Sequence, residues 1–216
     1  MRNSHLALRP DNRSPETPLK VATGAALLLG VGLGAIWLWS TSTRGETLGI
    51  GPSHGALIAL GANVPSLVDS GEWHRIFTAV VLHSGAGHLV QNVLWLVLLG
   101  AAYGRLTRPR RMVGIALATG ALGQAASYLF RAGTSVGASG AVYGLAGALV
   151  VTVWQRRHLL EPDARWRVLL STAVFVVILL VAPLMMAHAD HAAHFGGFLT
   201  GVLLAAALAY RRPIPR

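Results

Sequence analysis

The chain has no cysteine, which excludes a disulfide, a thiolate metal site and a cysteine nucleophile. Charge is scarce as well: only 12% of the 216 residues are Asp, Glu, Lys or Arg, and eight are acidic. Those eight, Asp11, Glu16, Glu46, Asp69, Glu72, Glu161, Asp163 and Asp190, fall in tails, in connections or at the edge of an apolar run. No carboxylate pair lies inside a run, so the chemistry of an aspartyl intramembrane protease is excluded. No H-E-x-x-H occurs, which argues against a zinc metalloprotease. The net charge of +10 would suit nucleic acid, but the arginines sit in short clusters between apolar runs, where the positive-inside rule accounts for them. No nucleic-acid partner is expected.

What the chain has in quantity is apolar residues, 53% of the total, gathered in long runs that belong in a lipid bilayer. Runs at 21–40, 87–104, 112–130, 139–154, 168–186 and 192–210 each approach the ~20 residues that a spanning helix needs. The expectation is an all-α membrane protein, a six-transmembrane-helix bundle forming one domain over 21–210. A disordered tail at 1–20 precedes it and a short tail at 211–216 follows it. No trustworthy cleavage site follows the first run, so it reads as a retained helix. Fifteen of the 18 Lys and Arg residues fall in the two tails and the two connections expected on one side, against Arg44, Arg75 and Arg131 elsewhere. Both termini are therefore predicted to be cytoplasmic. Short tails and compact loops suit a bacterial plasma membrane. The outer connection 41–82 is long and rich in Gly, Pro, Trp and Leu, which suits a loop that packs on the bilayer surface; an ordinary extracytoplasmic linker is the alternative.

Polar residues inside spans are costly and by default functional. His88, Ser139 and His194 each lie 17 positions before the first Arg at the cytoplasmic end of their helix, Arg105, Arg156 and Arg211. At about 1.5 Å per residue that is roughly 25 Å, a common depth in the outer part of the bilayer. Ser139 stands between glycines in Gly137-Ala138-Ser139-Gly140, where a helix begins; unpaired N–H groups there can donate to a developing oxyanion. A Ser that merely caps a helix is the alternative. Gly197 and Gly201 share a helical face with His194, as Gly140 and Gly144 do with Ser139, and two such small-residue stripes permit close helix approach. That approach would bring a hydroxyl within reach of an imidazole. His88 and Asn92, at i and i+4, form a donor pair suited either to an oxyanion hole or to gluing two helices. His83 reads as a loop anchor nearer the surface. His188, His191 and His194 are spaced as possible metal ligands, but the first two fit the wet mouth of the site better, so no metal and no cofactor is expected.

Together these residues resemble the rhomboid family. Trp73-His74-Arg75-Ile76-Phe77-Thr78 is similar to its first-loop W-R-x-x-T signature, and His83 with His88 and Asn92 matches H-x-x-x-x-H-x-x-x-N. Gly137-Ala138-Ser139-Gly140 matches G-x-S-G, and Ala193-His194 with Gly197 and Gly201 matches A-H-x-x-G-x-x-x-G. The resemblance covers roughly 71–210. It departs at His74, where an aromatic residue is common, and at His191, where Asn is common. It implies a six-helix serine protease that cuts transmembrane proteins, with Ser139 as nucleophile and His194 as base and acid. It also implies an oxyanion hole of His88, Asn92 and the N–H groups of Ala138 and Ser139. Tyr143 would pack on the imidazole, and a small residue would precede the cut. Oligomeric state is not legible. Two rivals stand beside this reading: a transporter or proton channel using His83, His88 and His194 as a relay, and a non-catalytic relative that escorts membrane clients.

Overall fold

The computed structural model describes residues 16–42, 51–159, 162–181 and 189–210. Among them are nine α-helices and no β-strand beyond one isolated bridge. The helices are α1 (Glu16–Ser42), α2 (His54–Leu60), α3 (Pro65–Asp69), α4 (Arg75–Thr78), α5 (Ala86–Leu106), α6 (Pro109–Leu129), α7 (Ser139–Arg156), α8 (Pro162–Val181) and α9 (His191–Tyr210). Helix α1 begins at Glu16, ahead of the apolar run at 21–40. The rest of the expected N-terminal tail, the C-terminal tail and His188 lie outside the described residues.

Four of the described helices, α1 from Lys20, α5, α6 and α9 to Leu208, are long and apolar enough to cross a membrane. Their exteriors carry Leu28, Val31, Val90, Leu117 and Phe195, all well exposed, while the interior mixes Ala26, Ala116 and Ala205 with Leu96, Leu99 and Tyr103. Long helices with so apolar an exterior mark an integral membrane protein. Lipid tails are as apolar as a leucine side chain, so burying Leu between helices gains little, and close packing of small residues supplies the cohesion.

Helix α7 is central, packed against α5, α6, α8 and α9, while α1 lies along α5. Every residue from Gly140 to Leu149 is buried. The seam with α9 is the tightest in the molecule. A Cβ on Gly197 would strike the Gly140 carbonyl, one on Gly201 the Gly144 carbonyl, and one on Gly147 the Phe198 carbonyl. Helix α8 is different: Leu170, Val174, Val177 and Ile178 are exposed, and only Val176 and Leu179 are among its buried residues.

The outer segment folds into α2, α3 and α4. Ser53 caps α2 through the Ala56 N–H at 3.2 Å, and Gly61 ends it in the left-handed conformation at φ 105°. Arg75 binds the segment together. Its guanidinium is buried, donating to the carbonyls of Ile58 at 2.6 Å and Ala62 at 3.0 Å and pairing with Glu72 at 2.7 Å. Asn63 exchanges two backbone hydrogen bonds with Ser135, and its side-chain amide donates to the backbone carbonyl and side chain of Gln124 in α6. The Gly137 N–H donates to the Ala79 carbonyl at 2.8 Å. The outer segment therefore holds in place the loop that leads into α7.

Candidate active site

Helix α7 starts at Ser139 itself. Ala138 occupies the cap position and no side chain caps the helix, so Ser139 is not a capping serine. Gly137, just before, has φ 120°, a conformation that an L residue adopts only under strain. A Cβ there would lie 2.8 Å from His88 Nε2 and 3.6 Å from Asn92 Nδ2. The missing side chain thus leaves open the space on which these two donors converge. Asn92 donates one amide hydrogen to the His88 carbonyl at 3.0 Å, which fixes the amide and leaves its second hydrogen available. Ser84 Oγ lies 3.1 Å from His88 Nδ1. The N–H groups of Ala138, Ser139 and Gly140 have no backbone acceptor among the described residues, as the first turn of a helix dictates.

His194 projects from the first turn of α9. Its imidazole stacks on the Tyr143 ring with centroids 4.2 Å apart and planes 10° from parallel. The Tyr143 hydroxyl donates to the Leu179 carbonyl of α8 at 2.6 Å. One side chain of α7 therefore touches both flanking helices. Ser139, His88, Asn92, Tyr143 and His194 all line one cavity of about 530 Å³, with Leu57, Trp95, Val142 and Ile178 among its apolar walls. No hydrogen bond joins the Ser139 hydroxyl to His194 in this structure.

Of the remaining histidines, His83 falls differently from expectation. His83 is fully buried, not near the surface: its Nδ1 donates to the Val81 carbonyl at 3.3 Å and its ring meets His88 edge-on at 5.1 Å. Burial, with the neighbouring His88 second, pulls its imidazole down to about 4, so it stays neutral in the physiological range. His191 is exposed, 6.4 Å from His194, and among the described residues no three His, Asp or Glu form a cluster that could hold a metal. Asp190 reads from the sequence only as an acidic residue at the edge of an apolar run. It lines the same cavity and caps α9, accepting from the Ala193 N–H at 2.9 Å. An Asp just before an apolar run is a legible cap signal, but its place in the cavity depends on how α9 docks on α7.

Comparisons with known proteins bear on this arrangement. The rhomboid domain family matches residues 70–211. The rhomboid protease GluP of Bacillus subtilis is 36% identical over 152 residues, 70% of this chain and 29% of that protein. RHOMBOID-like protein 1 of Arabidopsis thaliana is 37% identical over 163 residues, 72% of this chain and 40% of that protein. Inactive rhomboid protein 2 of Homo sapiens is 31% identical over 137 residues, 62% of this chain and 15% of that protein. The chain thus spans well under half the length of these relatives. With the family matched over more than half of its length, this chain belongs to the rhomboid family.

Proposed function

We propose that this protein is an intramembrane serine endopeptidase that hydrolyses peptide bonds in or beside transmembrane segments of other proteins. The observation that carries the reading is the single cavity in which a helix-starting Ser139, a half-buried His194 and the side chains of His88 and Asn92 meet. His194 takes the Ser139 proton as the oxygen attacks the scissile carbonyl. The oxyanion is held by His88, Asn92 and the N–H groups of Ala138 and Ser139. His194 then protonates the leaving amine, and a water that it activates hydrolyses the acyl-enzyme. Catalytic hydrogen bonds commonly tighten only when substrate is bound, which suits the open Ser139–His194 pair. The Tyr143 ring restrains the imidazole plane.

In this reading α7 and α8 complete a six-span bundle. α7 is shielded by its neighbours and so needs less apolar character than a lipid-facing helix. Both termini are cytoplasmic by the charge count, the membrane is a bacterial plasma membrane, and water enters from the outer side past Asp190 and His191. A helical substrate hides its carbonyls in hydrogen bonds, so clients carry Gly, Pro or polar residues that let the helix open, with a small residue before the cut.

A fluorophosphonate applied to the purified protein tests the reading. It should label Ser139 in the parent and fail on Ser139→Ala, and a model transmembrane substrate should be cut by the parent alone. A folded Ser139→Ala protein that still cut the substrate would overturn it. The absence of labelling in the parent would favour a non-catalytic client-binding role, the reading to which the likeness to an inactive human relative points.

A further inference from the structure

Where Nε2 is the nitrogen that takes the serine proton, as in the serine–histidine template, the ring must carry its own proton on Nδ1. The Tyr143 stack fixes the plane of the His194 ring, but a ring face does not distinguish the two nitrogens. Something else must choose the tautomer. His194 Nδ1 is buried and makes no hydrogen bond, and one helical turn earlier Asp190 Oδ2 is likewise buried without a partner. The two atoms are complementary, a donor in the active tautomer and a permanent acceptor. Asp190 is held firmly: its Oδ1 accepts from the Ala193 N–H at 2.9 Å and its backbone carbonyl from the His194 N–H at 3.1 Å. Asp190 stands directly before α9, one turn ahead of His194, and both residues line the same cavity.

The other groups that face His194 do not supply this acceptor. The Tyr143 hydroxyl is committed to the Leu179 carbonyl, and His191 meets the ring edge-on at 6.4 Å from an exposed position where it can donate as readily as accept. His88 approaches from α5, where its Nδ1 is engaged by Ser84.

We infer that Asp190 is a positioning residue for His194, its Oδ2 receiving the Nδ1–H through one bridging water. Such a water would donate to Oδ2 and accept from Nδ1–H, satisfying both buried atoms at once. The site would then be a serine–histidine pair oriented by a carboxylate at one remove, borne on the same helix as the base. The inference rests on His194 being the base of the proposed protease.

Asp190 also caps α9, so the test must separate a cap from a positioner. Asn, Ser and Asp cap helices about equally well, so Asp190→Asn and Asp190→Ser should both melt within about 2 °C of the parent. Asp190→Asn keeps its carbonyl on Ala193 and turns an NH₂ donor toward the bridging water, which then points a hydrogen at Nδ1. The imidazole proton is thereby driven to Nε2, where it blocks acceptance from Ser139. We expect kcat to fall about 100-fold or more with KM unchanged, and labelling of Ser139 by fluorophosphonate to slow in step. In Asp190→Ser, whose hydroxyl can still accept, the fall should be smaller. ¹⁵N spectra of histidine-labelled protein read the tautomer without catalysis and should show Nδ1–H at His194 in the parent and Nε2–H in Asp190→Asn. An active parent whose Asp190→Asn variant cuts at the parental rate with the tautomer unchanged would reduce Asp190 to a cap. A parent that neither cuts nor labels would remove the proposed protease and the inference with it.

Discussion

The two helices that flank α7 at the site are held in opposite ways. Against α9 the backbones touch, with glycines of one helix lying on carbonyls of the other and no side chain between them. Against α8 the contact is sparse: most of the large residues of α8 face outward, and it meets the site through the Tyr143 hydroxyl on Leu179 and a ring contact between Phe175 and Trp95 at 5.2 Å. The lesson is that Ser139 and His194 sit on the more closely packed pair of helices, while α8 supplies a sparsely packed wall of the cavity. For the proposed protease the difference matters, because catalysis needs positions good to a fraction of an ångström and entry of a peptide needs a wall that yields.

The sharpest way to break this comparison is at the seam. Gly201→Val drives a side chain into the Gly144 carbonyl, backbone that has nowhere to go, and should cost more than about 3 kcal/mol of stability along with all activity. Gly24→Ala, where a Cβ meets nothing within 4 Å, should instead raise the melting temperature slightly, so thermal unfolding of the two variants measures the seam against an open helix face. Next comes the outer segment, which belongs with the rigid half because it secures the loop before Ser139. Arg75→Ala leaves the Ile58 and Ala62 carbonyls without their donor and should destabilise by about 2–3 kcal/mol, lowering turnover as the loop loosens.

On the loose side, Tyr143→Phe keeps the ring on His194 but frees the Leu179 carbonyl. It should cost about 1 kcal/mol and make α8 more open to proteolysis, while turnover changes by less than about 10-fold. A larger loss of turnover would mean that the tether, not only the ring, serves the chemistry. The smallest effect belongs to the rim, where exposed Asp69 accepts from Arg131 at 2.6 Å and Tyr128 at 2.8 Å. The Arg131 hydrogen bond first, then that of Tyr128, holds the Asp69 carboxyl below its usual range. Its contribution is therefore present above the ordinary carboxylate value near 4 and is lost as pH falls through the lowered one. Asp69→Asn should shift the melting temperature at pH 7 only marginally, and the shift should shrink as the solution is made more acidic.

Much of this arrangement was legible in the chain because its signals are local. The G-x-S-G and A-H-x-x-G-x-x-x-G spacings place Ser139 and His194 at helix starts, and the glycine stripes announce a close seam before any coordinates are seen. What was hidden depends on contacts distant in sequence. Arg75 reads as one more loop cation, and only the fold turns it inward onto carbonyls 13 and 17 residues earlier. Asn63 and Gln124, 61 positions apart, give no sign of each other. His83 reads as a surface anchor because it stands in a connection, whereas the fold buries it fully with its ring edge-on to His88. Asp190 reads only as an acidic residue at the edge of an apolar run, and its capping bond to α9 is what brings it to the cavity.

Gly137 carries a consequence for how such a protein could be silenced. With φ 120° and the place of its absent Cβ only 2.8 Å from His88 Nε2, the position serves as a keyhole: any other residue strains the chain and plugs the space that, in the proposed protease, a tetrahedral oxygen would occupy. A lineage could therefore lose hydrolysis through a single codon while Ser139, His194 and the whole helical scaffold persist unchanged. Counting intact serines and histidines would then overstate the number of working enzymes, and the letter two places before the serine would be the more informative one to read.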